Sequence, residues 1–354
     1  MSDPVDPGSA RVVLYGTGKH AVHIVRCLLE KGHTIVAAVN RTGEGERNKV
    51  GRDLGELTGA DDARGIIVQD SEGLAYDSLE ADVAIMALTD RLETNITAYE
   101  RVLNAGINVL STASESSYPR YADPDLGERI DQVARRNGVS FLGTSVWDMT
   151  RIWSGILVTG CTTEIDALHH TSITNIYAGG LDYIRYAGIG LTQEEFKQRM
   201  QGTLSPLGGI YVLPVRQVLE FVGFTVTGVS EYNEPVLFEE AIDCPKLERV
   251  LAPGTVVGTR IVAELATAQG VMTRVSSELR MFRPGEREHT SWRVEGRPPC
   301  TVTVDRRDTF HATAAALVNR IPDVIAAPPG VQVVSDMGPM RSTALSGSAV
   351  SDGS

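Results

Sequence analysis

The stretch from residue 11 to residue 41 constrains the fold more than any other part of the chain. An apolar run from Val12 to Tyr15 ends in Gly16-Thr17-Gly18, and apolar residues then recur at helical spacing. A second apolar run, from Ile35 to Val39, follows. A strand, a glycine-rich turn, a helix and a second strand within about thirty residues make a βαβ unit. The stretch therefore predicts an α/β fold.

The glycine-rich turn has the spacing of the dinucleotide-binding fingerprint, Gly16-x-Gly18-x-x-Ala21. Gly16 permits a tight turn, Gly18 leaves the backbone open to a pyrophosphate, and Ala21 allows the helix to pack closely on the strand. The free N–H groups and the positive dipole end of the helix would hold the diphosphate. The other cofactor-binding residues predicted in this turn are Thr17, Lys19 and His20. The alternative is a structural turn that binds no dinucleotide.

The end of the second strand predicts which dinucleotide binds. NAD-binding units usually place Asp or Glu about 20 residues after the glycine turn, where the carboxylate accepts hydrogen bonds from the ribose 2′-hydroxyl. This chain has Asn40, Arg41 and Thr42 there. Asn and Arg can bind a 2′-phosphate that a carboxylate would repel. NADP, as NADPH, is the predicted cofactor, with NAD as the alternative; the other interpretation of Arg41 is a solvated loop residue.

The pattern continues with strands at 81–87, 108–111 and 139–143, which alternate with helical patterns at 92–105 and 125–136. This alternation predicts a Rossmann-type, doubly wound parallel sheet. Ligands of such sheets bind beyond the carboxyl ends of the strands, so side chains there should lie near the nicotinamide. These side chains are Ala87, Leu88 and Thr89 after one strand, and Ser111, Ser114 and Glu115 after another.

The pattern changes after Gly143 and indicates a second domain. The stretches 255–268 and 271–283 alternate as an antiparallel pair does, and Thr267-Ala268-Gln269-Gly270 joins them as a hairpin turn would. We predict a second α+β domain on a mixed or antiparallel sheet. The predicted boundaries are a flexible leader at 1–9, the dinucleotide-binding domain at 10–145, a substrate and oligomerisation domain at 146–305, a C-terminal helix and strand returning to the first domain at 306–340, and a flexible tail at 341–354.

Composition narrows the classes of partner. The formal net charge of −12 argues against nucleic acid and anionic membranes as partners. The chain has no run of 18 apolar residues and no charged-then-apolar leader, so we expect neither a membrane span nor a secretory signal. Its four cysteines form no CxxC motif, which favours reduced thiols without a metal site. We therefore expect a cytoplasmic protein, and the β-rich stretch at 255–283 offers a surface for a symmetric homodimer.

Several further blocks occur in a fixed order along the chain. They are Tyr15 to Gly18, Val50 to Gly55, Gly106 to Thr112 with Glu115, Gly188 to Thr192, Glu295 to Pro299, and Asp308 to Pro322. In these blocks, from about residue 11 to residue 340, the chain resembles the dihydrodipicolinate reductase-like dehydrogenases, which include 2,4-diaminopentanoate dehydrogenase and the native amine dehydrogenases. The resemblance implies reduction by NAD(P)H of an imine formed from ammonia and a ketone or aldehyde, and amine oxidation in reverse.

The resemblance also implies a catalytic role for Glu115, which stands in the family's Ser-Thr-x-Glu-Glu stretch. Such a carboxylate would accept a proton from ammonium and assist loss of water from the carbinolamine. It can do so if desolvation raises its pKa towards the working pH. The alternative for Glu115 is an acid at a helix start or on the surface.

Three departures from the family lie where its substrate pocket is expected. Ser114 replaces the first residue of the Glu-Glu pair. After Gly143-Thr144-Ser145-Val146, Trp147-Asp148-Met149 stands where the family carries Asn-Pro-Gly, and Tyr177 to Gly180 replace a basic pair. Trp147 and Met149 would enlarge an apolar wall, and Asp148 adds a carboxylate. The predicted substrate pocket consists of Ser114, Trp147, Asp148, Met149 and Tyr177.

The leading hypothesis is an NADPH-preferring oxidoreductase that transfers hydride to a C=N or C=O carbon, as an amine dehydrogenase does. It takes a small-molecule substrate together with ammonia. The first alternative is a carbonyl reductase that does not use ammonia, with Tyr177, Tyr183 or Asp148 supplying the proton. The second alternative is a cofactor-binding protein without turnover.

Overall fold

The computed structural model describes residues 9–43, 45, 48–179, 181–200 and 208–342. The chain divides into two compact units: unit 1 comprises Met1–Asp148 and Asp308–Ser354, and unit 2 comprises Met149–Arg307. The predicted flexible leader, apart from Ser9, and the predicted flexible tail after Ser342 lie outside the described residues.

Unit 1 contains a parallel sheet of seven strands. Numbered along the whole chain, its strands are β1 (Arg11–Tyr15), β2 (Thr34–Asn40), β3 (Val68–Asp70), β4 (Val83–Met86), β5 (Asn108–Ser111), β6 (Ser140–Gly143) and β15 (Gly330–Gln332). They lie in the order β15-β6-β5-β4-β1-β2-β3. The order reverses between β1 and β4, and this is the point at which doubly wound sheets bind ligands.

The helices of unit 1 lie between its parallel strands along the chain, except the last, which follows β15. They are α1 (Ala21–Glu30), α2 (Leu54–Thr58), α3 (Leu92–Asn104), α4 (Pro119–Ala122), α5 (Pro124–Arg136), α10 (Thr309–Asn319), α11 (Ile321–Ala326) and α12 (Val334–Met337). The residues of β4 and β6 are buried throughout, as expected for parallel strands covered on both faces. Tyr99 of α3 and Phe141 of β6 pack edge to face within this core, with ring centroids 5.0 Å apart.

Unit 2 is built on a mixed sheet of six strands in the order β14-β13-β7-β12-β11-β8. These strands are β7 (Glu164–Asn175), β8 (Val226–Leu237), β11 (Val256–Thr267), β12 (Met272–Arg280), β13 (Glu288–Arg297) and β14 (Cys300–Arg306). A separate antiparallel pair consists of β9 (Ile242–Cys244) and β10 (Arg249–Leu251). The pair β7–β12 is parallel and the other pairs of the six-stranded sheet are antiparallel.

One face of the mixed sheet is buried beneath helices of unit 2. These helices are α6 (Ser154–Thr159), α7 (Leu181–Tyr186), α8 (Gln193–Met200) and α9 (Gly208–Phe221). Gly155 of α6 lies directly over Trp292 of β13, since a Cβ at Gly155 would come within 2.8 Å of the indole ring. The same Cβ would lie 3.0 Å from Val218 of α9. A glycine at this position therefore allows α6 to pack against both the sheet and α9.

The predicted fold class is confirmed: a Rossmann-type parallel sheet is joined to a unit with a mixed sheet. The predicted hairpin is also present, with β11 and β12 paired from Gly258↔Arg280 to Ala266↔Met272. The segment that precedes α6, Asp148–Trp153, is a π-helix. The Arg151 carbonyl in this turn accepts a hydrogen bond from the Trp292 indole, 2.8 Å away. Within the described ranges, no helix is both long and apolar enough to cross a membrane.

Candidate functional site

The glycine turn between β1 and α1 lies beside the loop that follows β4. Gly16 has a φ of 103°, and a Cβ there would lie 2.3 Å from the carbonyl oxygen of Ala87. Only glycine fits this position. Gly18 differs, because a Cβ there would meet no heavy atom within 4 Å. The turn thus combines a close backbone approach with open space, so its residues fit the pyrophosphate of a dinucleotide.

The start of α1 presents backbone N–H groups beside this turn. The helix begins at Ala21 with no side-chain cap and no acidic residue in its first turn. Burial lowers the pKa of His20, an effect to which His23 contributes and which Asp90 opposes. The His20 ring packs against Phe310 at a centroid distance of 5.1 Å. Lys19, in contrast, is exposed and can meet an anion directly.

Asn40 connects the end of β2 to the glycine turn. Its amide nitrogen donates to the Thr17 hydroxyl over 3.0 Å, and its amide oxygen accepts from the Arg41 backbone N–H over 3.0 Å. Arg41 and Thr42 are exposed. No carboxylate of the described chain forms an ion pair with Arg41. Its guanidinium is therefore available to an anionic ligand beside this turn.

The predicted residues after β4 also lie beside the turn. The Ala87 N–H donates to the Tyr15 carbonyl over 2.8 Å, which extends the pairing of β4 with β1. Thr89 and Asn95 form two hydrogen bonds: the Thr89 hydroxyl donates to the Asn95 side-chain oxygen, and the Asn95 amide donates to the Thr89 carbonyl. Leu88, between Ala87 and Thr89, is half-buried. These bonds fix the loop against Gly16.

Ser111, at the end of β5, has its hydroxyl in a buried network. It lies 2.7 Å from the Tyr99 hydroxyl and 2.9 Å from that of Ser116. Asn95 joins the same network by donating to Tyr99 over 3.2 Å. The network connects α3 to the loop after β5, and neither Asn95 nor Tyr99 was predicted from the sequence. Their signal, polar residues on the buried side of an amphipathic helix, is visible only once the burial of α3 is known.

Glu115 lies where the loop after β5 meets the start of α3. One carboxylate oxygen accepts from the Leu92 N–H over 2.7 Å, and the other lies 3.1 Å from Nε of Arg91. The side chain is 20% exposed, so solvent or a ligand can still reach it. Ser114 is buried, and its hydroxyl has no hydrogen-bond partner among the residues that the structure describes. Glu115 thus lies at a helix start and remains accessible to a ligand.

Asp148 is fully buried in unit 1, and its partners belong to the same unit. Its carboxylate accepts from the Thr144 hydroxyl over 2.7 Å and lies 3.2 Å from Nε of Arg320, which is also fully buried. Burial raises the pKa of Asp148 to about 6, while Arg320 and Thr144 oppose the shift. Arg320, which was not among the predicted site residues, forms an ion pair with this carboxylate of the predicted pocket.

The other residues of the predicted pocket are in different surroundings. Trp147 is buried in unit 1, and its indole N–H has no partner within the described ranges. Met149 and Tyr177 belong to unit 2, where Met149 is 45% exposed. The Tyr177 hydroxyl accepts from the Lys246 N–H over 2.9 Å. Gly180, the last residue of the stretch predicted to replace the basic pair, lies outside the described residues.

Comparison with known proteins adds evidence independent of this geometry. Residues 154–351, more than half of the chain, match the family described as the 2,4-diaminopentanoate dehydrogenase C-terminal domain. A curated relative, 2,4-diaminopentanoate dehydrogenase from Acetoanaerobium sticklandii, is 27% identical over 237 residues, which are 64% of this chain and 64% of the relative. The matched region is slightly less than two thirds of that relative's length.

Solved structures share the fold. An amine dehydrogenase from Mycobacterium smegmatis is similar with a TM-score of 0.79 and 27% identity, over 94% of this chain and 97% of that chain. GenD2 from gentamicin A biosynthesis, solved in complex with NAD, has a TM-score of 0.51 and 16% identity, over 84% of this chain and 72% of that chain. The second likeness shows the fold alone.

Proposed function

Because this chain belongs to the family of the 2,4-diaminopentanoate dehydrogenase C-terminal domain, we propose that it is an NADPH-preferring dehydrogenase that reductively aminates a ketone or aldehyde and oxidises the amine in reverse. The family predicted from the sequence motifs is thereby confirmed. The activities named for two similar proteins, an amine dehydrogenase and a 2,4-diaminopentanoate dehydrogenase, support this activity. The observation that carries the proposal is Gly16 against the Ala87 carbonyl, beside the open space at Gly18.

The residues of unit 1 fit a nicotinamide dinucleotide. The glycine turn and the first N–H groups of α1 would hold its pyrophosphate. When bound, the cofactor gives hydride to the substrate carbon or accepts it. Thr17 and Asn40 keep the end of β2 against the turn. The exposed Arg41 and Thr42 would bind a 2′-phosphate there, which supports NADP over NAD.

Glu115 is the residue we propose to hold the proton during amination. Its carboxylate would accept a proton from ammonium, which leaves ammonia free to attack the carbonyl carbon, and would return a proton to the departing water. Its contacts with Arg91 and the Leu92 N–H fix its orientation. Ser114 beside it provides a hydroxyl where the family's Glu-Glu pair has its other carboxylate.

Turnover with and without ammonia tests the proposal. The purified protein is assayed with NADPH and a panel of ketones and aldehydes, and in reverse with amines and NADP. We expect NADPH oxidation that requires ammonia. Equal reduction of ketones without ammonia would show a carbonyl reductase instead, and cofactor binding without turnover on any substrate would show a protein that only binds the dinucleotide.

A further inference from the structure

Two arginines are buried in unit 2 and form no ion pair with the residues that the structure describes. Arg151 is 5% exposed and Arg306, at the end of β14, is 7% exposed. Neither forms an ion pair with a described residue, and Nε of each is buried without a hydrogen-bond acceptor in the described part of the chain. An isolated buried cation is costly, because the protein interior solvates charge poorly. Glu288 attracts Arg306 without forming an ion pair with it, and a bound anion would stabilise both arginines.

The side chains around these arginines are donors as well. His170 of β7 is fully buried, and neither ring nitrogen has a partner among the described residues. Ser172 of β7 and Thr290 of β13 are paired across the two strands. Their hydroxyls are buried and have no hydrogen-bond partner among the described residues. His170 and Ser172 lie on the same face of β7, because residues two apart in a strand do. The hydroxyls and the imidazole can each donate one hydrogen bond, and an oxyanion on this face would accept from them.

The two arginines, His170 and Tyr211 interact electrostatically. The guanidinium carbon of Arg151 lies 4.8 Å from the Tyr211 ring centroid. Burial lowers the pKa of Arg151 to about 10; Tyr211 opposes this shift and repulsion by Arg306 adds to it. Burial also lowers the pKa of His170, with Arg151 and Arg306 contributing. Burial raises the pKa of Tyr211, so its hydroxyl keeps its proton and can donate it in a hydrogen bond.

A groove in unit 2 reaches Arg306 from solvent. Arg306 lines a groove of about 410 Å³ together with Asn175, Phe282, Glu286, Arg287, Glu288 and Arg307. The two glutamates of the groove already have partners, since Glu286 pairs with Arg280 and Glu288 accepts from the Asn175 N–H. Arg306 donates weakly to Thr174 over 3.4 Å and forms no other hydrogen bond to a described residue. A small anion can therefore approach Arg306 from solvent.

We propose that Arg151, Arg306, His170 and the Ser172–Thr290 pair form a binding site for a small oxyanion in unit 2. Oxyanions supply acceptor oxygens only, which matches a set of donors, and guanidinium groups bind carboxylates and phosphates in bidentate geometry. A carboxylate and a phosphate share this chemistry. The site goes beyond the proposed dehydrogenase activity, and its binding can be measured without cofactor or substrate.

The test is binding by the purified full-length chain in a chloride buffer free of oxyanions. Acetate, succinate and inorganic phosphate are titrated separately at constant ionic strength, and thermal unfolding and calorimetry are recorded. We expect at least one oxyanion to raise Tm and to give a saturable heat. A response to acetate or succinate alone identifies a carboxylate ligand, and a response to phosphate alone identifies a phosphate.

Substitutions of the two arginines test whether the oxyanion binds at this cluster. Arg151→Met and Arg306→Met should weaken binding roughly tenfold to hundredfold, because a charge-assisted hydrogen bond is lost. Each should fold at least as well as the parent in chloride, since an apolar side chain replaces an unpaired buried cation. The matched control is Arg293→Met on β13, an exposed arginine paired with Glu295 that should bind as the parent does.

Thr290→Val provides a second route if the arginine variants do not fold. It removes one buried hydroxyl without a change of charge and should also weaken binding. Parent-like binding by Arg151→Met and Arg306→Met, or by Thr290→Val where those two do not fold, would overturn the proposal. So would a parent that responds to none of the three oxyanions, because the cluster would then hold only water.

Discussion

At the residue scale, the side chains at the end of β2 would decide the choice between NADP and NAD. Asn40 is occupied by Thr17 and by the Arg41 N–H, whereas the Arg41 side chain is exposed and without an ion pair in the described ranges. A change at Arg41 therefore alters charge near the cofactor without removing a contact that holds the turn.

Arg41→Asp should weaken NADPH binding more than NADH binding, because an attraction for the 2′-phosphate becomes a repulsion. Arg41→Gln removes the charge without reversing it and should give an intermediate loss. Fluorescence titration of both cofactors measures the effect. An equal loss of affinity for NADPH and NADH would show that Arg41 does not contact the 2′-phosphate.

Glu115→Gln tests the proposed proton-handling group. The change keeps the shape of the side chain and removes its charge, so turnover in amination should fall about a hundred- to ten-thousand-fold, the usual contribution of a general acid–base group. The Kd of NADPH should change little. Steady-state kinetics with ketone and ammonia, together with cofactor titration, measure both quantities.

Glu93→Gln is the matched control for the change at Glu115. Glu93 is an exposed acid in the first turn of α3, the helix whose start Glu115 contacts. Its replacement removes a carboxylate near the same helix end and should leave turnover intact. If Glu115→Gln also retains full amination activity, the proton is handled by another group.

At the scale of elements, a buried ion pair joins the end of β6 to the C-terminal helices of unit 1. Asp148 follows β6, and Arg320 lies between α10 and α11. Arg320 also pairs with Asp323 over 2.9 Å and donates to the Gly338 carbonyl. The Ser140 hydroxyl adds a further link by donating to the Val324 carbonyl over 2.6 Å. These contacts fix α11 against β6 of the parallel sheet.

Asp148→Asn should destabilise the protein strongly, because Arg320 would keep its charge without its buried partner. Breaking a buried pair in this way costs about 3–5 kcal/mol. Asp323→Asn, at a partner that is 31% exposed, should cost much less. Urea unfolding measures both. A double variant, Asp148→Asn with Arg320→Met, should be more stable than the sum of the single losses predicts, and strict additivity would show that the pair is not coupled.

At the scale of the whole molecule, we expect a symmetric homodimer formed through the mixed sheet of unit 2. Tyr232 of β8 and Met272 of β12 are exposed apolar residues on the same face of this sheet. Sedimentation velocity at micromolar concentration should show a dimer, and Tyr232→Glu should shift it towards monomer by placing a charge in the interface. Val250→Asp, on the separate β9–β10 pair, is the control. A monomeric parent would contradict this prediction.

Local spacing in the sequence determined the core of the fold. The strand, glycine turn, helix and strand from residue 11 to residue 41 form β1, α1 and β2, and Gly16 takes the positive φ that the fingerprint predicts. The β11–β12 hairpin follows from alternation and a short turn. Patterns of this kind arise within a few residues, because backbone geometry and periodic burial act locally.

Only the tertiary structure decided the surroundings of the individual site residues. Asp148 and Arg320 are 172 positions apart in the chain, and nothing near either residue in the sequence indicates the other. Glu115 meets the start of α3, 23 positions before it. His170 of β7 and Arg306 of β14 lie in one sheet with only β13 between their strands, although β7 and β14 are far apart in the sequence. Side-chain partners depend on how distant elements pack, so the local pattern that specifies each element leaves its partners undetermined.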